Sequence, residues 1–327
     1  MKIQELRDLL KTADKELLEK AFAESYKKFT KSQKEEADQI IRDVLEAKDI
    51  KNTKQKEPLN FEDLEQQITQ FLENAYAQNY FAPNRVIPKS QRPKWRFMVK
   101  NYIKELEKVS VENKNYEKST KLLTDLYLLL CEACNYYLFS TEDPFRSIGL
   151  TQSELFHRVV KKTFGLGYSR ENIAALLLTA SSGGLGRESL YIFQEKVLLS
   201  ELKTSDVKYM AIEEARKLID ERKMKRKGLK KYDSRRYSLS EEINNLCGMI
   251  LMIAIELAEW RSGIIYYFQN CENSDKEITL YCALEIAEWE ENDELWLQIY
   301  EYGIGQKIEP RDSLTKKYNE FKGDGKV

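Results

Sequence analysis

The sequence predicts an all-α fold of stacked helical hairpins, either an α-solenoid-like stack or a compact multi-helix array. Three observations carry this. Apolar residues recur at spacings of three and four along most of the chain, with no sustained alternation of the kind a half-buried strand requires. Four Ser/Thr-x-x-Glu pairs, Ser32/Glu35, Thr151/Glu154, Ser238/Glu241 and Ser274/Glu277, have the spacing of capping boxes. Three runs almost free of charge, LYLLLCEACNYYLF (126–139), IAALLLTA (173–180) and LCGMILMIAIELA (246–258), read as helices buried on every side. Each falls short of the roughly 20 apolar residues that span a bilayer.

Taken in order, Ile3, Leu6, Leu9 and Leu10 line a first amphipathic helix, and Leu17, Leu18, Ala21, Phe22 and Phe29 a second. Ser32 opens a third, whose apolar face is Ala37, Ile40, Ile41, Val44 and Leu45. Residues 1–47 thus form an N-terminal helical arm. The lysine-rich KDIKNTKQKEP (48–58) has no apolar period and ends in proline, which makes it a polar linker.

The main domain covers 59–303. Asn60 is placed to cap a helix with Leu64, Ile68, Phe71, Leu72, Ala75 and Tyr76 on its buried side. Three of the six prolines make 82–96 a loop. A helix resumes through Met98, Tyr102, Ile103 and Leu106, followed by the apolar run ending near Phe139. Shorter helices follow through Phe156 to Val160, Ile173 to Ala180, Leu190 to Leu199 and Val207 to Ile219. Ser238 to Gly303 reads as one long buried helix over 243–268, a turn around residue 272, a second helix and a third short one. Residues 304–327 are polar and read as a tail.

Composition narrows the function. Charged residues make up 33% of the chain, yet the net charge is only −1. A uniformly basic nucleic-acid coat is therefore excluded, though local patches are not. Five scattered cysteines do not make a disulfide framework, and MKIQELRDLL has no signal-peptide core. The expected setting is cytoplasmic, with no membrane contact.

Two basic segments are candidate nucleic-acid sites. Arg85, Lys89, Arg92, Lys94 and Arg96 alternate with aromatics including Trp95, pairing cations for phosphates with platforms for bases. The tract 221–237, ERKMKRKGLKKYDSRRY, adds nine basic residues. Cys131 and Cys134 form a C-x-x-C inside a helix and read as buried reduced thiols. The lone His157 reads as structural, and the glycine turns at 164–171 and 182–189 as helix ends.

A short echo has a sharper consequence. AIELAEW (254–260) recurs as ALEIAEW (283–289), which makes Glu256/Glu259 and Glu285/Glu288 symmetric about residue 272. In an antiparallel hairpin closing there, the four carboxylates would lie level and could share a hard divalent ion such as Mg²⁺. Paired E-x-x-E helices of this kind resemble the metal site of the all-α nucleotide pyrophosphohydrolases of the MazG type. That resemblance covers residues 256–288 and implies a Mg-dependent hydrolase with those four metal ligands. The chain departs from the family pattern at Ile255, where a glutamate stands in the family, and at Glu288, where an aspartate does.

No Ser-His-Asp or Cys-His set is legible, and no cofactor is implied outside the Mg²⁺ reading. The leading expectation is an intracellular helical scaffold or interaction protein binding another macromolecule, with a protein as the expected partner. Single-stranded nucleic-acid binding through 80–102 and 221–237 is one alternative, and the Mg-dependent hydrolase is the other.

Overall fold

The structure is a computed structural model that describes residues 3–30, 33–34, 37–38, 41–42 and 60–324. Among the described residues it is all helix, with fifteen α-helices, one 3₁₀ turn and no strand. The chain divides into two units between Asn60 and Phe61.

The first unit holds α1 (Ile3–Thr12) and α2 (Lys15–Lys27). Asp14 caps α2 by accepting the Leu17 amide at 2.9 Å. No residue of α2 is buried, and Leu17 and Phe22 are exposed. The Ser32/Glu35 capping box and the linker 48–58 lie outside the described residues.

The second unit contains α3 (Phe61–Tyr76), α4 (Trp95–Glu107), α5 (Tyr116–Asn135), α6 (Pro144–Ile148), α7 (Gln152–Phe164) and α8 (Arg170–Ser181). It continues with α9 (Tyr191–Glu201), α10 (Ser205–Lys227), α11 (Arg235–Glu256), α12 (Trp260–Asn270), α13 (Lys276–Trp289), α14 (Asp293–Gly305) and α15 (Asp312–Asp324). Packing follows chain order. α3 and α4 lie on α5, α5 on α7, α7 on α8 and α9, α8 on α10 and α11, and α9 on α11. α11 then packs on α12 and α13, and α14 links α13 to α15. This is the compact multi-helix array expected from the sequence.

The three low-charge runs supply the centre. Every residue from Leu246 to Ala254 of α11 is buried, as are Leu129 and Leu130 of α5 and Leu176 and Leu177 of α8. A second cluster joins α3, α4 and the chain after α5. Phe71 stacks on Phe139 with centroids 6.2 Å apart, and Trp95 stacks on Phe139 at 4.0 Å.

Four sequence expectations are corrected. α5 stops at Asn135 rather than 139, because Tyr136 turns extended and exposed so that Leu138 and Phe139 can point inward. The expected helix 243–268 is two helices. α11 ends at Glu256, where Ala258 adopts a left-handed φ of 59°. The Glu259 amide then reaches back to the Ala254 carbonyl at 2.8 Å and the Ala258 amide to Ile255 at 3.0 Å, a Schellman closure. Of the capping boxes, Thr151/Glu154 forms, while Ser238/Glu241 lies within α11 and the cap of α13 is Asp275, one residue after Ser274. Finally, the expected polar tail contains α15, which docks on α14. Tyr318 stacks on Tyr300 at 4.4 Å and Phe321 meets Trp296 edge-on at 5.2 Å.

Candidate functional site

A cleft of about 710 Å³ is walled by α9, the α10–α11 connection, α11 and α13. Its construction begins with α9. Tyr191, Ile192 and Glu195 lie one turn apart on the face that continues into Leu198 and Leu199, both buried. Packing that face on α7, α8 and α11 carries Glu195 inside with the leucines. The residue is 5% exposed, and burial pushes its carboxyl up to about 8, so it is protonated at neutral pH. Its Oε1 has no hydrogen-bond partner among the described residues, an expensive omission for a buried oxygen.

The opposite walls are polar and held in place. Arg226, at the end of α10, pairs with Glu272 at 2.7 Å, while its Nε has no partner among the described residues. Arg236 donates to the carbonyl oxygens of Arg226 at 2.6 Å and Leu229 at 3.2 Å, tying the connection between α10 and α11. Asn244 accepts the Glu272 amide at 2.7 Å and donates to Asn273 at 2.8 Å, which fixes the turn before α13. Asn245 donates to the Ser181 carbonyl at 2.9 Å. Gly248 forms part of the floor beside Ile286, where a Cβ would still fit, 3.6 Å from the isoleucine. Glu241 and Glu285 complete the walls. Burial, with the charge of Glu242 second, raises the Glu241 carboxyl. The Tyr191 hydroxyl donates to the Gly183 carbonyl at 2.7 Å and anchors the α9 end.

The second glycine turn has a structural job beside this cleft. Gly184 sits where a Cβ would collide with the Cys131 carbonyl, and the buried Gln152 clasps the turn. Its Nε2 donates to the Gly184 carbonyl at 3.1 Å, and its Oε1 accepts the Gly186 amide at 2.9 Å. Cys131 and Cys134 are free thiols raised to about 12 by burial, far from the activated range. His157 contacts Glu201 through Nε2 at 2.9 Å and so joins α7 to the end of α9.

The four glutamates of the echo have separate partners. Glu256 pairs with Lys208 at 2.5 Å and Glu259 accepts the Tyr209 hydroxyl at 2.6 Å. Glu288 takes the Trp296 indole N–H at 3.1 Å and Lys317 at 2.6 Å, while Glu285 lines the cleft. The symmetric hairpin does not form, because the first copy straddles the break at Ala258 and the second continues as helix through Trp289. Among the described residues, no three His, Cys, Asp or Glu side chains are placed to hold one metal ion.

The segment 80–102 also divides. Trp95, Tyr80 and Tyr102 are buried in the aromatic core and offer no stacking platform. Arg92 is consumed by its own loop, donating to the carbonyls of Ile87 at 3.1 Å and Asn84 at 3.3 Å. Arg85, Lys89, Lys94 and Arg96 are exposed, with Arg96 lying over the exposed Phe97. In the second tract, Arg222, Arg226 and Arg236 are internal ties, while Lys225, Lys227, Lys230 and Lys231 face solvent.

Sequence reasoning missed Glu195, although a signal for it exists. In YIFQEKVLL it is an acid whose neighbours three and four residues away are Tyr191, Ile192, Leu198 and Leu199, so one helical face must bury it with them. No helix among the described residues is long and apolar enough to cross a membrane. Comparison with protein families, with characterised proteins and with solved structures finds no match.

Proposed function

We propose that the chain is a helical interaction protein that recognises a partner protein through the cleft between α9, α11 and α13. The observation that carries this is the unpartnered Glu195 carboxyl in a cleft where Arg226, Arg236, Asn244 and Asn245 are braced by ion pairs or hydrogen bonds, while Glu241 and Glu285 have neither among the described residues. A buried polar atom without a partner costs about 1–3 kcal/mol, and a group supplied by a ligand removes that cost. A cleft of about 710 Å³ accommodates a few inserted side chains rather than a flat contact. The stacked helices supply a rigid frame for it.

The test is comparative capture. The full chain and a Glu241→Lys/Glu285→Lys variant are used to isolate partners from the same extract, with circular dichroism confirming that both fold. The expected result is one protein bound stoichiometrically to the unaltered chain and lost from the variant. Equal recovery by both would place recognition elsewhere and remove the cleft from the reading.

A further inference from the structure

Charge in the cleft is unbalanced toward the negative. Of its two arginines, Arg226 is matched by Glu272, and Arg236 is committed to backbone carbonyls. Glu241 and Glu285, on facing helices, have neither a hydrogen bond nor an ion pair among the described residues. Glu195 adds a buried, unpartnered oxygen from the third wall. Tyr237 stands on the rim, 75% exposed, and supplies an aromatic ring of the kind that attracts cations.

These carboxyl groups are too dispersed to share a metal ion. They suit positive charge distributed along a chain. We propose that the cleft binds an extended organic polycation, with alkylammonium or guanidinium groups, through Glu195 as buried acceptor and Glu241 and Glu285 as counter-charges. In the partner-protein reading, on which this inference rests, such a chain is a run of lysine or arginine side chains. A free polyamine has the same chemistry.

Titration calorimetry on the full chain at low ionic strength, with spermidine and with a tetralysine peptide as probes, tests both. One-to-one binding of at least one probe is expected. It should weaken roughly tenfold or more in Glu195→Leu, which removes the buried acceptor, and in Glu285→Gln, which removes a counter-charge. Glu105→Gln, on the surface of α4 and paired with Lys108, should leave it unchanged. Added salt should weaken binding, as screening of surface carboxylates requires. Melting curves check that each variant folds, and Glu241→Gln gives an independent third reading should one of the others misfold. No binding of either probe, or equal affinity across the cleft variants, would overturn the proposal. Loss of the protein partner in the charge-reversal variant together with silent calorimetry would leave the protein-binding function standing and remove the polycation. Spermidine bound more tightly than the peptide would do the reverse.

Discussion

At the scale of single residues, two features depart from what a sequence would be expected to tolerate. Among the described residues, four helices close on left-handed residues that are not glycine: Gln78, Ala258, Glu291 and Lys307, with φ between 50° and 60°. At each closure the following amide reaches back five residues, from Asn79 to Asn74, Glu259 to Ala254, Asn292 to Ala287 and Ile308 to Gly303. A Cβ in this conformation costs about 1–2 kcal/mol, and glycine's extra freedom when unfolded offsets about 0.5–1 kcal/mol of the relief. Ala258→Gly should therefore stabilise by about 0.5–1 kcal/mol, and Ala258→Val should destabilise, both read by thermal melting. The second feature is Glu195. Its carboxyl titrates near 4.5 in the unfolded chain and at about 8 in the folded one. Between these values the folded state holds a proton that the unfolded state has released. Its stabilising contribution is complete below pH 4.5 and is lost as pH rises through 8. The slope inside that window is at most about 1.4 kcal/mol per pH unit. Glu195→Gln should flatten this loss and melt higher than the unaltered chain at pH 8, which urea titrations across the pH range would show.

At the scale of elements, helices were legible and their ends were not. The lack of charge finds α8, and periodicity finds α3, α4 and α7 because each has one apolar face and one polar face. It fails at 257–259, where Leu257 and Ala258 continue an apolar run although the helix has ended. The heptapeptides at 254–260 and 283–289 show why. They share composition and spacing, but the first closes a helix and the second lies inside one. What separates them is tertiary. Gly263 brings α12 so close to α11 that a Cβ there would fall 2.7 Å from that of Ala254, an approach available only if the chain turns back after Glu256. The cleft was hidden for the same reason. Glu241 and Glu285 are ordinary helix glutamates until α11 and α13 face each other, and only Glu195 carried a local sign of burial. α15 was missed because DSLTKKYNEFKGD is mostly polar, and its docking depends on two aromatic residues. Tyr318 and Phe321 cover Tyr300 and Trp296, and Lys322 pairs with Glu301 at 2.9 Å. Ending the chain after Arg311 should uncover Trp296, now 1% exposed, and shift tryptophan emission to longer wavelength. Phe321→Ala should cost about 1–2 kcal/mol by loss of apolar burial and ring contact.

At the scale of the whole second unit, stability is concentrated along α5, α8 and α11. Leu251 is fully buried in the C-terminal half of α11, which packs on α8, α9, α10, α12 and α13. Leu251→Ala should cost about 3–5 kcal/mol, against little for the exposed Lys104→Ala, in denaturant titrations. Amides of α11 should exchange with solvent last, and those of α2, which has no buried residue, first.

A run of short struts takes its form from its joints. Glycine at a corner leaves play, because its backbone tolerates a wide arc of angles. Here the corners after α3, α11, α13 and α14 carry side chains, so each is confined to a narrow arc once the closing bonds form. Small angular errors compound from strut to strut, and stiff corners suppress them. Stability and stiffness thus pull apart at these positions. A protein given glycine corners would melt later yet hold the walls of its cleft less firmly, and a cavity built from three separate struts needs the firmer hold.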